Sequence, residues 1–209
     1  AKKLVEEKSI LMTIGIHPTY PSTGYGYIQY NLNNKIKNGA YGVNSFHEKP
    51  NLENAEKFFE MGQFLWNSGI FIWKAKDILF QIEILIPQLH SSLLFISDYL
   101  KKDDYDLILN KEWKKINPIS IDYGILEKAE NIYTLKADFD WSDVGTWRSL
   151  FDIQNKNKNN SIHKGEVITV DSKNNLVISP DKLTALIGVS NMTIVNLMDA
   201  TLIMPHSEA

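Results

Sequence analysis

The chain has 209 residues, a formal net charge of −3 and a pI near 6.0, enough for one sizeable domain or a domain with a small appendage. Apolar residues make up 44% of it and charged residues 22%, the balance of an ordinary globular protein with a real core. The acidic balance excludes the basic stripe that nucleic acid requires, the lack of any cysteine excludes disulfides and thiolate metal sites, and no apolar run reaches the ~20 residues of a membrane span.

Residues 1–7 read as the last turns of a helix. They carry no signal-peptide core and no initiator Met, so a cytoplasmic protein, met here as a C-terminal part, is the simplest expectation. Residues 10–16 (ILMTIGI) have strand length and little polar alternation, the pattern of a strand buried on both faces of a mainly parallel sheet. After a Pro, Ser, Thr and Gly loop, residues 25–30 are strand-like, 31–39 form a polar turn region, and 43–47 form another strand. Asn51 is a good N-cap for a helix whose apolar face carries Leu52, Ala55, Phe58 and Phe59, and Gly62 is its stop. Residues 64–73 read as a strand interrupted at Asn67-Ser68-Gly69.

Residues 75–110 are helical in pattern and punctuated at Pro87. Ser120 is a candidate cap for a helix over 121–129; 132–136 is a strand, and 141–147 turns into a short helix. The clearest composition break is 154–160 (QNKNKNN), which has no apolar residue. Beyond it, short strands at 166–170, 176–178, 185–189, 193–196 and 201–204 alternate with turn residues, which reads as a small all-β appendage, a few coils of β-helix or a small sandwich. The expected organisation is therefore an α/β domain over 1–153, a linker over 154–160 and a β-rich domain over 161–209.

Four stretches carry more chemistry than a purely structural segment needs. Gly24-Tyr25-Gly26 either lets the backbone approach a ligand closely or is a plain turn. Glu48-Lys49-Pro50 ends a strand, where open α/β sheets bind ligands; the carboxylate suits sugar hydroxyls and the ammonium a phosphate, or the two form an exposed ion pair. Asn67 offers both donor and acceptor to a vicinal diol, or is a turn residue beside Gly69. Asp143, in Asp140-Trp141-Ser142-Asp143-Val144-Gly145, suits a hard cation such as Mg²⁺, or else it or Thr146 caps the next helix. The histidines at 17, 47, 90, 163 and 206 have no ligand spacing, and there is no Walker-type loop or nucleophile elbow.

Taken together and in order, T-G-Y-G-Y-I at 23–28, F-H-E-K-P at 46–50, W-N-S-G-I-F at 66–71, S-I-D-Y-G-I-L-E-K at 120–128 and W-S-D-V-G-T-W at 141–147 resemble the mannose-1-phosphate guanylyltransferases, over nearly the whole chain. The resemblance implies a partial Rossmann-like nucleotidyltransferase domain, with a mixed sheet and flanking helices, followed by a β-helix-like domain. It also implies transfer of GMP from GTP to mannose 1-phosphate, giving GDP-mannose and pyrophosphate with Mg²⁺. In that pattern Gly24 and Tyr25 line the sugar pocket, Glu48 holds hydroxyls, Lys49 holds the phosphate, and Asn67 reads a hydroxyl near C2. Asp143 is one of two aspartate metal ligands, and Asp122 is a pocket wall or polar anchor. The family often forms dimers, so a homodimer is a further expectation.

The family's G-x-G-x-R-L loop and the aspartate of its P-A-D-H-like motif are not in these 209 residues. The expectation is then a chain holding the acceptor side of the site, inactive alone. The alternatives are a non-catalytic sugar-phosphate-binding or regulatory homologue, and a nucleotidyltransferase for another hexose 1-phosphate. His47 stands where the family has a small apolar residue, either crowding the sugar pocket or pointing to the other face of its strand.

Overall fold

Residues 1–36 and 39–209 are described by a computed structural model. They divide into two compact units, 1–139 and 140–209.

In the first unit, helix α1 (Lys2–Glu7) precedes strand β1 (Leu11–Ile16), followed by β2 (Tyr27–Lys35) and β3 (Ala40–His47). Helix α2 (Leu52–Met61), strand β4 (Phe64–Ile72) and helices α3 (Ala75–Leu85), α4 (Pro87–Ser97) and α5 (Tyr105–Trp113) come next. A π-helical turn (Asp122–Leu126) then leads to β5 (Ile132–Lys136). Among the described residues the strands close on themselves in the order β1-β4-β2-β3-β5, with β5 pairing back to β1. The sheet is mixed, as expected, but it is not mainly parallel: β1 runs parallel to β5 alone and antiparallel to β4. The apolar run of β1 is nonetheless buried on both faces. Leu11 joins Ile28, Phe46, Leu65 and Ile132 on one side, while Met12 joins Leu4, Val5 and Ala40 on the other.

Helix α2 follows its sequence signals closely. The Asn51 side chain accepts from the Asn54 N–H, and Gly62 ends the helix at φ 66°, a left-handed turn that glycine takes without strain. Pro87 opens α4, where its missing N–H costs nothing. The polar region expected as a turn over 31–39 instead extends β2 as far as Lys35; residues 37 and 38 of it lie outside the described residues. Pairing of Lys35 with Tyr41, and the Lys136 ammonium 3.8 Å from the Tyr30 ring centre, hold this polar strand without an apolar face. The helix expected over 121–129 is capped by Ser120, whose Oγ accepts from the Tyr123 N–H. It winds as a π-turn, closed by the Glu127 N–H donating to the Asp122 carbonyl.

The second unit begins at Asp140, ahead of the 154–160 stretch marked as a linker by composition. Helix α6 (Trp147–Ile153) belongs to it because Phe151 packs with Ile162 and Leu176. Strands β6 (Ile162–Val170), β7 (Leu176–Ile187), β8 (Met192–Asn196) and β9 (Thr201–Pro205) pair in that order, parallel from β6 to β8. The separate strands expected at 176–178 and 185–189 are one strand, β7, which passes an irregularity opposite 165–167. Its coils turn at Asn160, Asn174 and Asn191, all left-handed, with φ of 54°, 55° and 62°. Their amides form a ladder: Asn160 Nδ2 donates to Asn174 Oδ1, and Asn174 Nδ2 to Asn191 Oδ1. Asparagine fits here because it tolerates the left-handed turn and bonds to the coil above.

His206 closes this unit. It is buried against Phe151, with Nε2 2.9 Å from the Asn174 carbonyl and Nδ1 3.1 Å from Thr193 Oγ1. The carbonyl can only accept, so Nε2 carries a proton; in the neutral ring Nδ1 then accepts from the Thr193 hydroxyl. Burial lowers the His206 pKa from 6.5, the Asn174 carbonyl opposes that shift, and of the nearby charges Arg148 lowers it while Asp152 raises it. A base with a depressed folded pKa contributes stability that is present above its unfolded value and lost as pH falls from there to the folded value. Melting curves of the chain and of His206→Gln should therefore converge as the pH drops below about 6.5. A constant gap across that range would show that His206 does not titrate on unfolding.

Candidate functional site

Strand register assembles the site. Tyr27 on β2 is opposite His47 on β3 and Trp66 on β4. One residue further, Gly26 therefore faces Glu48 on one side and Asn67 on the other, and the Asn67 N–H donates to the Gly26 carbonyl at 2.7 Å. A Cβ on Gly26 would lie 2.5 Å from Glu48 Oε2 and 3.3 Å from Asn67 Cβ, so only glycine leaves room for the carboxylate. Gly24 has no such constraint: it is exposed, its N–H donates to Ser22 Oγ, and a Cβ there would meet nothing closer than 3.6 Å. Tyr25 sits between the two glycines with its ring 4.9 Å from the buried Trp66 ring, edge to face, as is the ring of Tyr20.

The W-N-S-G segment is a bulge in β4, and each residue has a mechanical role. Ser68 Oγ donates to the Ile14 carbonyl of β1, Gly69 takes φ 72°, and Asn67 Oδ1 accepts the Gly69 N–H. The Asn67 Nδ2 donates to Asp122 Oδ1 at 3.2 Å, joining β4 to the π-turn across 55 residues of sequence.

Glu48 and Lys49 lie just beyond the end of β3. The Glu48 side chain is 12% exposed and Lys49 62%, with Lys49 Nζ 3.7 Å from Glu48 Oε1. The Glu48 N–H donates to Glu127 Oε1, and Tyr123 Oη donates to the Glu48 carbonyl at 3.5 Å. Burial pushes the Glu48 carboxyl above its ordinary value, the Asp122 charge adds to that, and Lys49 opposes it. Burial raises Asp122 as well, against the pull of its own backbone amide and of Lys49. Glu48, Asp122 and Glu127 thus lie near one another with the Lys49 ammonium beside Glu48, so the place offers several acceptors for hydroxyls and one cation.

Lys49 has φ 43°, a left-handed conformation that costs a non-glycine residue about 1 kcal/mol. Lys49→Gly should therefore raise the unfolding free energy by about 0.5–1 kcal/mol in urea titration, less what the flexible unfolded chain returns. Destabilisation by a similar amount would mean that the lysine stem contributes packing that outweighs the strain.

His47 does not crowd this cluster. Its ring stacks on Phe58 of α2 at 4.9 Å, and Nε2 is 3.0 Å from Ser45 Oγ, on the opposite face of β3 from Phe46 and Glu48. Asp143 belongs to the second unit and is exposed. Its Oδ1 accepts the Gly145 N–H, and the helix cap is Thr146, whose Oγ1 accepts the Ser149 N–H. So Asp143 is not the N-cap, and its turn presents a carboxylate to solvent. Among the described residues no group of three or more His, Cys, Asp or Glu could enclose a metal by itself. A carboxylate at Asp143 suits Mg²⁺, which takes one or two carboxylates and fills its remaining positions with phosphate oxygens and water.

Sequence reasoning singles out Glu48, Lys49, Asn67 and Asp122, which the structure gathers in one place. It notes Gly26 only as one of a glycine pair and Glu127 only within a motif, and it passes over Thr13, whose Oγ1 donates to Asn67 Oδ1. Glu127 carries a signal in hindsight, at i+5 from Asp122 on a π-turn; a single Thr within ILMTIGI carries none.

The mixed sheet with flanking helices carries a polar cluster at one strand end, and the nucleotidyl transferase family model matches residues 1–160. The chain belongs to the nucleotidyl transferase family, and residues 165–209 match the MannoseP isomerase/GMP-like beta-helix domain. It is 40% identical over 207 residues to Mannose-1-phosphate guanylyltransferase 2 of Escherichia coli O157:H7, covering 95% of this chain and 42% of that protein. To Mannose-1-phosphate guanylyltransferase RfbM of Salmonella typhimurium LT2 it is 36% identical, covering 92% of this chain and 40% of that one. The chain thus spans about two fifths of the length of these curated relatives. A crystal structure from Thermus thermophilus, described as mannose-1-phosphate geranyltransferase, superposes with a TM-score of 0.82 at 27% identity, over 99% of this chain and 58% of that one.

Proposed function

We propose that this chain is part of a mannose-1-phosphate guanylyltransferase and forms its sugar-phosphate side, with 1–153 as the portion of the catalytic domain and 161–209 as a small β-rich C-terminal domain. The observation that carries this reading is the row Glu48–Gly26–Asn67 with Lys49 beside it, in a chain whose relatives carry that name. Glu48 accepts hydrogen bonds from adjacent sugar hydroxyls, Asn67 contacts the hydroxyl near C2, and Gly24 and Tyr25 border the sugar. Lys49 holds the phosphate as a point charge.

The reaction needs no covalent enzyme intermediate. A phosphate oxygen of mannose 1-phosphate attacks the α-phosphorus of GTP, the bond to the β-phosphate oxygen breaks, and pyrophosphate leaves with that electron pair. Such a transfer depends on positioning and charge neutralisation. Lys49 orients the attacking phosphate and offsets its repulsion from the incoming triphosphate. Asp143 would hold Mg²⁺, which when bound neutralises charge on the phosphates. A cytoplasmic setting follows from the use of GTP, and a homodimer from the family pattern. Relatives named Xanthan biosynthesis protein XanB and Alginate biosynthesis protein AlgA place polysaccharide precursor supply in the same reading.

The test is product analysis with the protein from the complete reading frame. GTP, mannose 1-phosphate and Mg²⁺ should give GDP-mannose and pyrophosphate, and the 209-residue chain alone should give none. Product with glucose 1-phosphate and UTP or dTTP, but not with mannose 1-phosphate and GTP, would overturn the assignment.

A further inference from the structure

We propose that Thr13 and Asp122 are positioning residues that hold the Asn67 carboxamide in one orientation, so that it presents a single N–H donor, and no acceptor, to a sugar hydroxyl oxygen. The ligand part of this inference rests on the mannose 1-phosphate reading; the orientation does not.

A carboxamide has two N–H donors and two lone pairs on its oxygen. Asn67 Oδ1 accepts from Thr13 Oγ1 at 3.0 Å and from the Gly69 N–H at 3.2 Å, which uses both lone pairs. Nδ2 donates one N–H to Asp122 Oδ1 at 3.2 Å. Turning the amide over would set its N–H₂ against the Gly69 N–H and its oxygen against the Asp122 carboxylate, two repulsive contacts in place of two bonds. Thr13 is fully buried, so its hydroxyl has no water to bond instead. Among the described residues, one Asn67 N–H is left over.

The neighbouring Glu48 carboxylate is an acceptor when ionised. The pair therefore offers one acceptor and one donor side by side. That matches hydroxyls that donate a hydrogen bond to Glu48 and accept one from the Asn67 N–H. A sugar lacking the hydroxyl near C2 would leave the Asn67 donor unspent.

Two measurements test this. In ¹H–¹⁵N spectra of the ligand-free chain, the Asn67 side-chain amide should show one N–H slowed in exchange and shifted from the exposed-asparagine position. Thr13→Val, which keeps the shape and removes the hydroxyl, should move the pair toward the exposed position, as should Asp122→Ala. Thr13→Ser should restore it. An unchanged pair in both Thr13→Val and Asp122→Ala would overturn the orientation.

In calorimetric titrations, Thr13→Val should weaken mannose 1-phosphate binding about tenfold, the size of one compromised hydrogen bond. It should leave binding of the 2-deoxy analogue unchanged, with Thr13→Ser near wild type for both. Equal weakening for both ligands would reduce Thr13 to a structural role and overturn the proposal. If the amide responds as expected but the wild-type chain binds neither sugar phosphate, the positioning stands and the mannose 1-phosphate reading fails.

Discussion

Gly26→Ala is expected to weaken mannose 1-phosphate binding about 10- to 100-fold, the effect of 1–3 kcal/mol of local overpacking. The added methyl would stand 2.5 Å from Glu48 Oε2, a distance no Cβ tolerates. The carboxylate is the far end of a flexible side chain, so it can swing away and the protein still folds. What it cannot do is stay where it accepts sugar hydroxyls. The signature is therefore a large loss of affinity with a small change in melting temperature. Gly24→Ala is the matched comparison, because a methyl there meets only Ser22 Oγ, at 3.6 Å. Its loss of affinity should be clearly the smaller of the two. If calorimetry finds both variants equally impaired, the role of Gly26 is not the space it leaves for Glu48; if it finds both unimpaired, Glu48 does not hold the sugar.

Lys49→Ala should also cost about 10- to 100-fold at low ionic strength, the range for a charge-assisted hydrogen bond. Because Lys49 is 62% exposed, added salt should narrow the gap by weakening the wild type. Alanine keeps the left-handed backbone strained to a similar degree, so the variant isolates the ammonium. The change also has a sign in pH. Glu48 and Asp122 both have raised folded pKa values, so their contribution to stability is present below the ordinary carboxylate value and is lost as pH rises through the raised one. Removing Lys49, which opposes both shifts, raises them further. The variant should therefore lose more stability than the wild type between the ordinary carboxylate range and neutral pH, as read from melting temperatures across that interval.

Much of the fold was legible because its signals are local. Asn51, Gly62 and Pro87 mark helix ends by their own hydrogen bonding and backbone preferences, and β1 announces two-sided burial through a largely apolar run without alternation. The polar end of β2 was not legible, since its stability comes from partners on β3 and β5 and not from its own pattern. Nor was the boundary at Asp140: the asparagine-rich stretch reads as a linker by composition, yet its residues build coil turns. Asn157 Oδ1 accepts from the N–H groups of Asn159 and Ser161, and Asn160 starts the asparagine ladder.

The site divides the same way. Glu48, Lys49 and Asn67 stand out as polar residues at strand ends or interruptions. The register that brings Gly26 between Glu48 and Asn67 leaves no mark in the sequence, because shifting a strand by one residue changes every neighbour without changing a letter. Asp122 was visible only as part of a motif; its bond to Asn67 explains why a carboxylate stands there. The family resemblance supplied roles that residue chemistry left open, and the geometry adds the reason Gly26, more than Gly24, must be small.

The most direct test of the central claim is titration of the 209-residue chain with mannose 1-phosphate, followed by calorimetry beside mannose and inorganic phosphate. The expected result is saturable one-to-one binding that is tighter than for either half-ligand and is largely lost in Lys49→Ala. Identical heats for the wild type and Lys49→Ala would contradict it.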